Sequence, residues 1–255
     1  MFTKVLPVPL MKKNILVLGA TGGIARAFCW LALQRGYGLI LAGRDKDALE
    51  RMAKDISIRT DGSIIPCVLF DVCKTETHET CLEDVFELDS NLEGVFITCG
   101  IMPTQEECES DFTLCDTMIR SNFTGLVSIM NLLAKHFEKQ KSGFLSCVSS
   151  IAGDRGRSKN YIYGATKAAL SLYLEGLRLR LAGILVQTVK PGPVDTPMTK
   201  GLDKLPFLTT PEKVAKDILN AIEKRKTLVY TPWIWFPIMT LLCHIPNFLW
   251  KRMKL

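Results

Sequence analysis

The sequence predicts an α/β chain: a doubly wound parallel sheet, folded as a single domain with an apolar C-terminal extension. Three observations carry this. Short apolar runs that end in glycine or a polar residue alternate with longer helical patterns, as in strands buried on both faces by crossover helices. The first such run passes through a glycine-rich turn directly into a helix. The chain has 255 residues, 47% of them hydrophobic, which suits one large core.

Met1 to Met11 read as a loose extension, residues 12–231 as the folded domain and residues 232–255 as an apolar tail. The leading apolar run is too short, and too interrupted by proline, for a secretory signal. Asn14 to Gly19 is the first strand. The turn Gly19-Ala20-Thr21-Gly22-Gly23-Ile24-Ala25 follows, and Arg26 to Gln34 continues as helix. Glycines let backbone N–H groups approach a pyrophosphate, and a helix N-terminus adds partial positive charge. This is a Rossmann-type arrangement. The spacing is Gly-x-x-x-Gly-x-Ala, so the turn draws its meaning from its position between strand and helix.

Leu39 to Ala42 is the second strand, followed by Gly43 and Arg44. An acid there would bind a ribose 2′-hydroxyl, whereas an arginine accommodates a 2′-phosphate. Arg44 tilts the cofactor to NADP(H) over NAD(H). Ala48 to Ile56 is helical and Ile64 to Phe70 the third strand, leading to Asp71 and Val72. Asp71 either hydrogen-bonds an adenine edge or caps the next helix. Val85 to Leu88 sits in a short helix. Gly94 to Thr98 is the fourth strand, and Gly100 beyond it allows close approach of a cofactor. Phe112 to Phe137 carries a long helical pattern. Asn122 lies inside it, where propensity disfavours an amide; solvent exposure or a functional hydrogen bond would excuse it.

Gly143 to Val148 is the fifth strand, a helix runs from Tyr163 to near Leu181, and Ile184 to Val189 is the sixth strand. Lys190 to Pro197 then forms a rigid turn, holding Pro191, Gly192, Val194 and Thr196 where ligands of open α/β sheets sit. Met198 to Thr209 reads as a mobile substrate loop. Pro211 to Lys224 is a helix capped by Thr210, and Leu228 to Thr231 the last strand.

The chemistry concentrates in Ser150, Tyr163 and Lys167. Tyr163 and Lys167 are four apart on a helix and so share one face. A phenol ordinarily titrates near 10, and bringing it to about 7 takes roughly 4 kcal/mol. One ammonium at about 4–6 Å supplies on the order of 1–4 kcal/mol, and an oxidised nicotinamide ring would add to it. Such a phenol serves as general acid or base at a carbonyl or alcohol, with Ser150 holding the substrate oxygen. The plainer alternative is a surface Tyr and Lys on an ordinary helix; the upstream serine and the glycine turn argue against it.

Net charge is +6, from short clusters such as Lys12-Lys13, Lys224-Arg225-Lys226 and Lys251-Arg252. No basic stripe interleaves with aromatics, which excludes nucleic acid as the expected partner. The 9 cysteines are scattered without a Cys-x-x-Cys pair, which favours a reducing, cytoplasmic setting without a metal site. The histidines are isolated.

The Gly19/Gly23 turn, Asp71, Asn122, Ser150, Tyr163, Lys167 and the Pro191-Gly192 turn with Val194 and Thr196 together resemble the short-chain dehydrogenase/reductase family over about residues 12–231. The resemblance implies a catalytic tetrad. Tyr163 is the acid/base, and Lys167 favours its ionised form and binds the nicotinamide ribose. Ser150 orients the substrate oxygen and Asn122 holds a relay water. Val194 and Thr196 contact the carboxamide side of the nicotinamide. It also implies a homodimer or homotetramer paired through the helices around Asn122 and Tyr163. Two departures stand out: Ala25 replaces the third glycine, and Ile97-Thr98-Cys99-Gly100 replaces Asn-Asn-Ala-Gly.

The tail, Pro232 to Leu255, carries no charge before Lys251 and is broken by Pro232, Pro237 and Pro246. Short helices in a membrane interface are the favoured reading, with Trp233, Trp235 and Trp250 at headgroup level and Lys251, Arg252 and Lys254 near anionic lipid. The protein would then be peripheral on the cytoplasmic face of a membrane. An apolar subunit contact or substrate cover and a membrane span are the other readings. With the Ala-Gly-Asp-Arg-Gly-Arg run after Ser150, the tail resembles a subgroup that includes polyprenyl-phosphate keto-pentose reductases, implying a small or lipid-linked apolar carbonyl substrate. A non-catalytic dinucleotide-binding sensor or a membrane-associated scaffold is the alternative function.

Overall fold

In the computed structural model, residues 12–60, 62–200 and 205–253 are described. The expected N-terminal extension therefore lies outside them. Seven strands form one parallel sheet in the order β3-β2-β1-β4-β5-β6-β7. They are β1 (Lys12–Leu18), β2 (Tyr37–Gly43), β3 (Cys67–Leu69), β4 (Gly94–Ile97), β5 (Phe144–Val148), β6 (Leu185–Pro191) and β7 (Leu228–Thr231). On one face pack α1 (Gly23–Gln34), α2 (Lys46–Arg59) and α8 (Pro211–Glu223). On the other lie α3 (His78–Leu88), α6 (Gly125–Gln140) and α7 (Tyr161–Arg180). Ile15 and Val17 point into the first layer, Leu16 and Leu18 into the second. The alternation of a strand, applied to a run that is apolar throughout, fills both cores.

The expected strands are all present, with one trimmed. The third was expected over Ile64 to Phe70, but pairing covers only Cys67–Leu69. It is the sheet's edge, Pro66 has no N–H to offer, and Ile64 is 90% exposed. Thr210 does cap α8, accepting from the Lys213 N–H at 3.3 Å.

The long helical pattern of Phe112 to Phe137 is not one helix. A helix α4 (Gln105–Ser110), not expected, precedes α5 (Phe112–Ile119). A π-turn over Arg120–Thr124 separates α5 from α6. Asn122 sits in that turn and is fully buried, so solvent exposure is not what excuses it. A widened turn of this kind often marks a functional position in a helix.

The tail folds back on the domain as α9 (Trp235–His244) and α10 (Asn247–Trp250). Trp235 and Met239 are buried against Ile151. This corrects the placement of Trp235 at a headgroup surface; Trp233, by contrast, is exposed. No helix among the described residues is long and apolar enough to cross a membrane.

Candidate active site

Four strand ends build one cavity of about 510 Å³. The turn after β1 supplies Thr21, Gly22, Gly23 and Ile24, and the segment after β4 supplies Thr98 to Gly100. Ser149 and Ser150 follow β5, and Pro191 to Val194 come from β6. This is the crevice at the carboxyl edge where the strand order reverses between β1 and β4.

Gly19 holds the turn open in a left-handed conformation, φ +81°, and a Cβ there would lie 2.9 Å from Thr98 Oγ1. Gly22 starts α1 with no side-chain cap, and the first turn of α1 carries no acid. Unpaired N–H groups and the helix dipole are thus left for an anion. Ala25 is fully buried, so the missing third glycine is accommodated as a small core residue. Thr98 is a site residue that the sequence motifs do not include. Its hydroxyl donates to the Gly19 carbonyl at 3.0 Å and lies 3.3 Å from that of Leu18. This ties β4 to the turn in place of the absent amide, and nothing in the sequence pattern marks it.

Ser150, two residues past β5, is extended, and its Oγ accepts from the Ala152 N–H at 3.1 Å. The hydroxyl proton remains free to donate. Tyr163 and Lys167 lie on the face of α7 that meets this loop, and both are buried. Lys167 Nζ sits 5.8 Å from the centre of the Tyr163 ring and donates to the Val148 carbonyl at 3.1 Å. An ammonium has three donors, so two remain. The helix can approach this closely because Gly153 and Gly164 lack side chains; a Cβ on Gly164 would be 2.8 Å from the Ala152 carbonyl oxygen.

Asn122 does not line the cavity. Its Oδ1 accepts from the Ile101 N–H at 2.8 Å, and its Nδ2 donates to the Ile101 carbonyl at 2.9 Å and to Thr166 Oγ1 at 3.3 Å. It clamps the chain just past Gly100 and touches α7 between Tyr163 and Lys167.

Arg44, Asp71 and Val72 lie outside the cavity, beyond the ends of β2 and β3. Arg44 is exposed, and no ion pair holds it among the described residues. Asp45 is occupied as the cap of α2, accepting from the Ala48 N–H at 2.9 Å. Asp71 Oδ1 accepts from the Cys73 N–H at 3.0 Å. It does not cap α3, whose cap position is Thr77. Met198 and Leu205, both within the expected substrate loop, line the cavity; Thr209 is tied to Val194 by a bridge, and residues 201–204 lie outside those described.

The cavity walls carry no carboxylate among the described residues; their charges are Lys167 and Arg157. Cys99 opens partly to the cavity, but burial of its thiol pushes its pKa up to about 12, as it does for Cys147 behind it. These thiols stay protonated and are poor nucleophiles. What the arrangement offers is a phenol, a hydroxyl and an ammonium in one cavity with an uncapped helix N-terminus: groups able to transfer a proton beside a place suited to an anion.

A short chain dehydrogenase family model matches residues 13–205. An uncharacterized oxidoreductase of Mycobacterium tuberculosis is 30% identical over 224 residues, covering 87% of this chain and 89% of that protein. One from Streptomyces coelicolor is 31% identical over 244 residues, covering 94% and 96%. A solved short chain dehydrogenase from Burkholderia cenocepacia, in complex with NADP, superposes with a TM-score of 0.81 at 21% identity, covering 96% of this chain and 99% of that one. A short-chain dehydrogenase from Sphingobium yanoikuyae, in complex with NADPH, gives 0.79 at 22% identity, covering 92% and 97%.

Proposed function

The chain belongs to the short-chain dehydrogenase/reductase family, and on that premise we propose that it is an NADP(H)-dependent oxidoreductase acting on a carbonyl/alcohol pair. The observation that carries this is the convergence of Ser150, Tyr163 and Lys167 on one cavity whose other wall is the Gly22–Ile24 turn. The residues fit a dinucleotide: an uncapped helix start for the pyrophosphate, Gly100 and Gly192 on the cavity wall, and an exposed cation at Arg44. When bound, the nicotinamide supplies or accepts the hydride.

The chain's own residues do the rest. Tyr163 gives its proton to the carbonyl oxygen in reduction and takes it back in oxidation. Ser150 donates its free proton to the same oxygen and fixes its position. Lys167 uses its two spare donors on the ribose and on the path by which Tyr163 is reprotonated. Asn122 holds the Ile101 backbone, and with it the wall and any relay water behind Gly100. Val194 and Thr196 face the carboxamide. Arg44 reads the 2′-phosphate, and Asp71 with Val72 the adenine end.

Tyr163→Phe removes only the proton donor. Turnover, followed as loss of NADPH absorbance with a panel of carbonyl substrates, should fall by about 10²–10⁴, while the NADPH dissociation constant stays within about twofold. Unchanged turnover would defeat the assignment. Arg44→Asp should lower kcat/KM with NADPH by roughly 10–150-fold, the worth of one charged hydrogen bond, and narrow the gap to NADH.

The same reading extends to an apolar, small or lipid-linked, substrate and a cytoplasmic protein peripheral to a membrane. Trp233, Phe236, Leu241 and Phe248 are all more than half exposed on the folded-back tail, and Lys251 and Arg252 follow in the chain. Vesicles rich in anionic lipid should carry the protein in flotation, and a Trp233→Ser, Leu241→Ser, Phe248→Ser variant should remain behind. Pairing of copies through α5 and α7 is supported by exposed Phe112, Leu172 and Leu179; sedimentation tests it.

A further inference from the structure

The Asp154-Arg155-Gly156-Arg157 run is only partly absorbed by the fold. Asp154 is spent: one carboxylate oxygen pairs with Lys190, and the other accepts from the Tyr230 hydroxyl at 2.8 Å. Arg155 is spent on the tail, donating to the Cys243 carbonyl at 3.1 Å, and to the Ile245 carbonyl and Asn247 Oδ1 at 2.9 Å each. The Gly156 carbonyl accepts from the Trp250 indole N–H at 3.0 Å. Of the four, Arg157 alone lines the cavity, whose wall also includes Asn160, Tyr163 and Leu205. Its one contact of hydrogen-bond kind among the described residues is the Met239 thioether at 3.5 Å, a weak acceptor.

A guanidinium has five donors in a planar fork. Here it is half-buried; the charge of Asp154 reaches it, but that carboxylate is held by Lys190 and Tyr230 and forms no ion pair with Arg157 among the described residues. Burial lowers its pKa, yet a guanidinium stays charged. A desolvated cation with only a thioether for an acceptor is costly, and two oxygens of one anion satisfy it best. Lys167 and the α1 N-terminus already serve the cofactor under the proposed function, on which this inference rests. Arg157 is left over.

We propose that Arg157 is a substrate-recognition residue: the carbonyl substrate carries a carboxylate or phosphate that the guanidinium grips, on an otherwise apolar body lying against Met198 and Leu205. The anion fixes how far the carbonyl reaches toward Ser150 and Tyr163.

The test uses matched probes with the full chain and NADPH: 7-oxooctanoate against its methyl ester, and 7-oxooctyl phosphate against 8-hydroxyoctan-2-one. The wild type should prefer the anionic member of at least one pair, and which pair it is separates carboxylate from phosphate. Arg157→Ala and Arg157→Gln should raise KM for that member by about 10–100-fold, with kcat and the neutral partner little changed. Binding is read separately by calorimetry on the NADP⁺ complex, with octanoate, octyl phosphate and octanol. An octanoate or octyl phosphate affinity that falls tenfold or more in both variants, with octanol unchanged, supports the inference even if no carbonyl turns over, in which case the oxidoreductase reading alone fails. A wild type indifferent to the anion in both assays overturns it. So does equal loss on charged and neutral probes, or a parallel loss of NADPH affinity, which would give the guanidinium to the cofactor.

Discussion

Asn122 shows how much one side chain settles. Both backbone groups of Ile101 are satisfied by the amide of Asn122, whose own side chain is fully buried. Asn122→Leu strands both, at about 1–3 kcal/mol each. The urea midpoint should drop accordingly, and Asn122→Asp, which keeps the acceptor, should recover part of the loss. His78 is a second such residue. Its Nε2 donates to the Asp71 carbonyl at 3.1 Å, so its Nδ1 accepts from the Ser128 hydroxyl at 3.0 Å. Burial lowers its pKa from the ordinary 6.5. The unfolded chain therefore takes the proton first. Stability from neutral His78 is complete above about 6.5 and is lost as pH falls through the lower folded value. Urea midpoints measured from about pH 7.5 to about pH 5 should decline, and His78→Gln should flatten that slope, leaving the share of His136, which shifts the same way. At this scale the sequence was readable where spacing does the work: Tyr163 and Lys167 share a face because they are four apart. The bond of Thr98 to Gly19 joins residues 79 apart, and no local pattern encodes it.

Between α7 and the Ser150 loop the contact is backbone on backbone. Gly164→Ala places a Cβ 2.8 Å from the Ala152 carbonyl oxygen, so helix or loop must give. Tyr163 and Lys167 ride on the helix and Ser150 on the loop. A displacement approaching 1 Å costs on the order of 10²-fold in rate. We expect kcat to fall by about 10–100-fold while NADPH affinity holds; kcat unchanged would show that the loop yields without moving Ser150. Element types followed from periodicity, since strands buried on both faces leave unbroken apolar runs and helices leave stripes. The break at Arg120–Thr124 did not, because the apolar stripe continues through it at Ile119 and Phe123 while Ser121 and Asn122 are buried there. The shortened β3 is likewise set by its place at the sheet's edge, which order along the chain does not reveal.

For the molecule as a whole the tail is the instructive case. Its composition announces apolar surface, and the sequence has no means of saying what covers that surface. One face is covered by the chain's own domain: Trp235 and Met239 close over Ile151, one residue from Ser150. The other face stays exposed. Arg155 is the fastener, because its three hydrogen bonds reach the end of α9 and the start of α10, and its guanidinium lies 5.1 Å from the centre of the Trp250 ring. Bonds to a charged group contribute about 1.5–3 kcal/mol, so Arg155→Ala should loosen the tail without unfolding the sheet, whose core it does not enter. Chymotrypsin should then cut within Trp235–His244 at least tenfold faster, and tryptophan emission should shift red as the indole of Trp235 meets water. Because Ile151 loses its cover, kcat should fall as well. A variant whose tail is freed by both measures yet turns over at the wild-type rate would show that the fastened tail protects the domain and takes no part in holding the Ser150 loop.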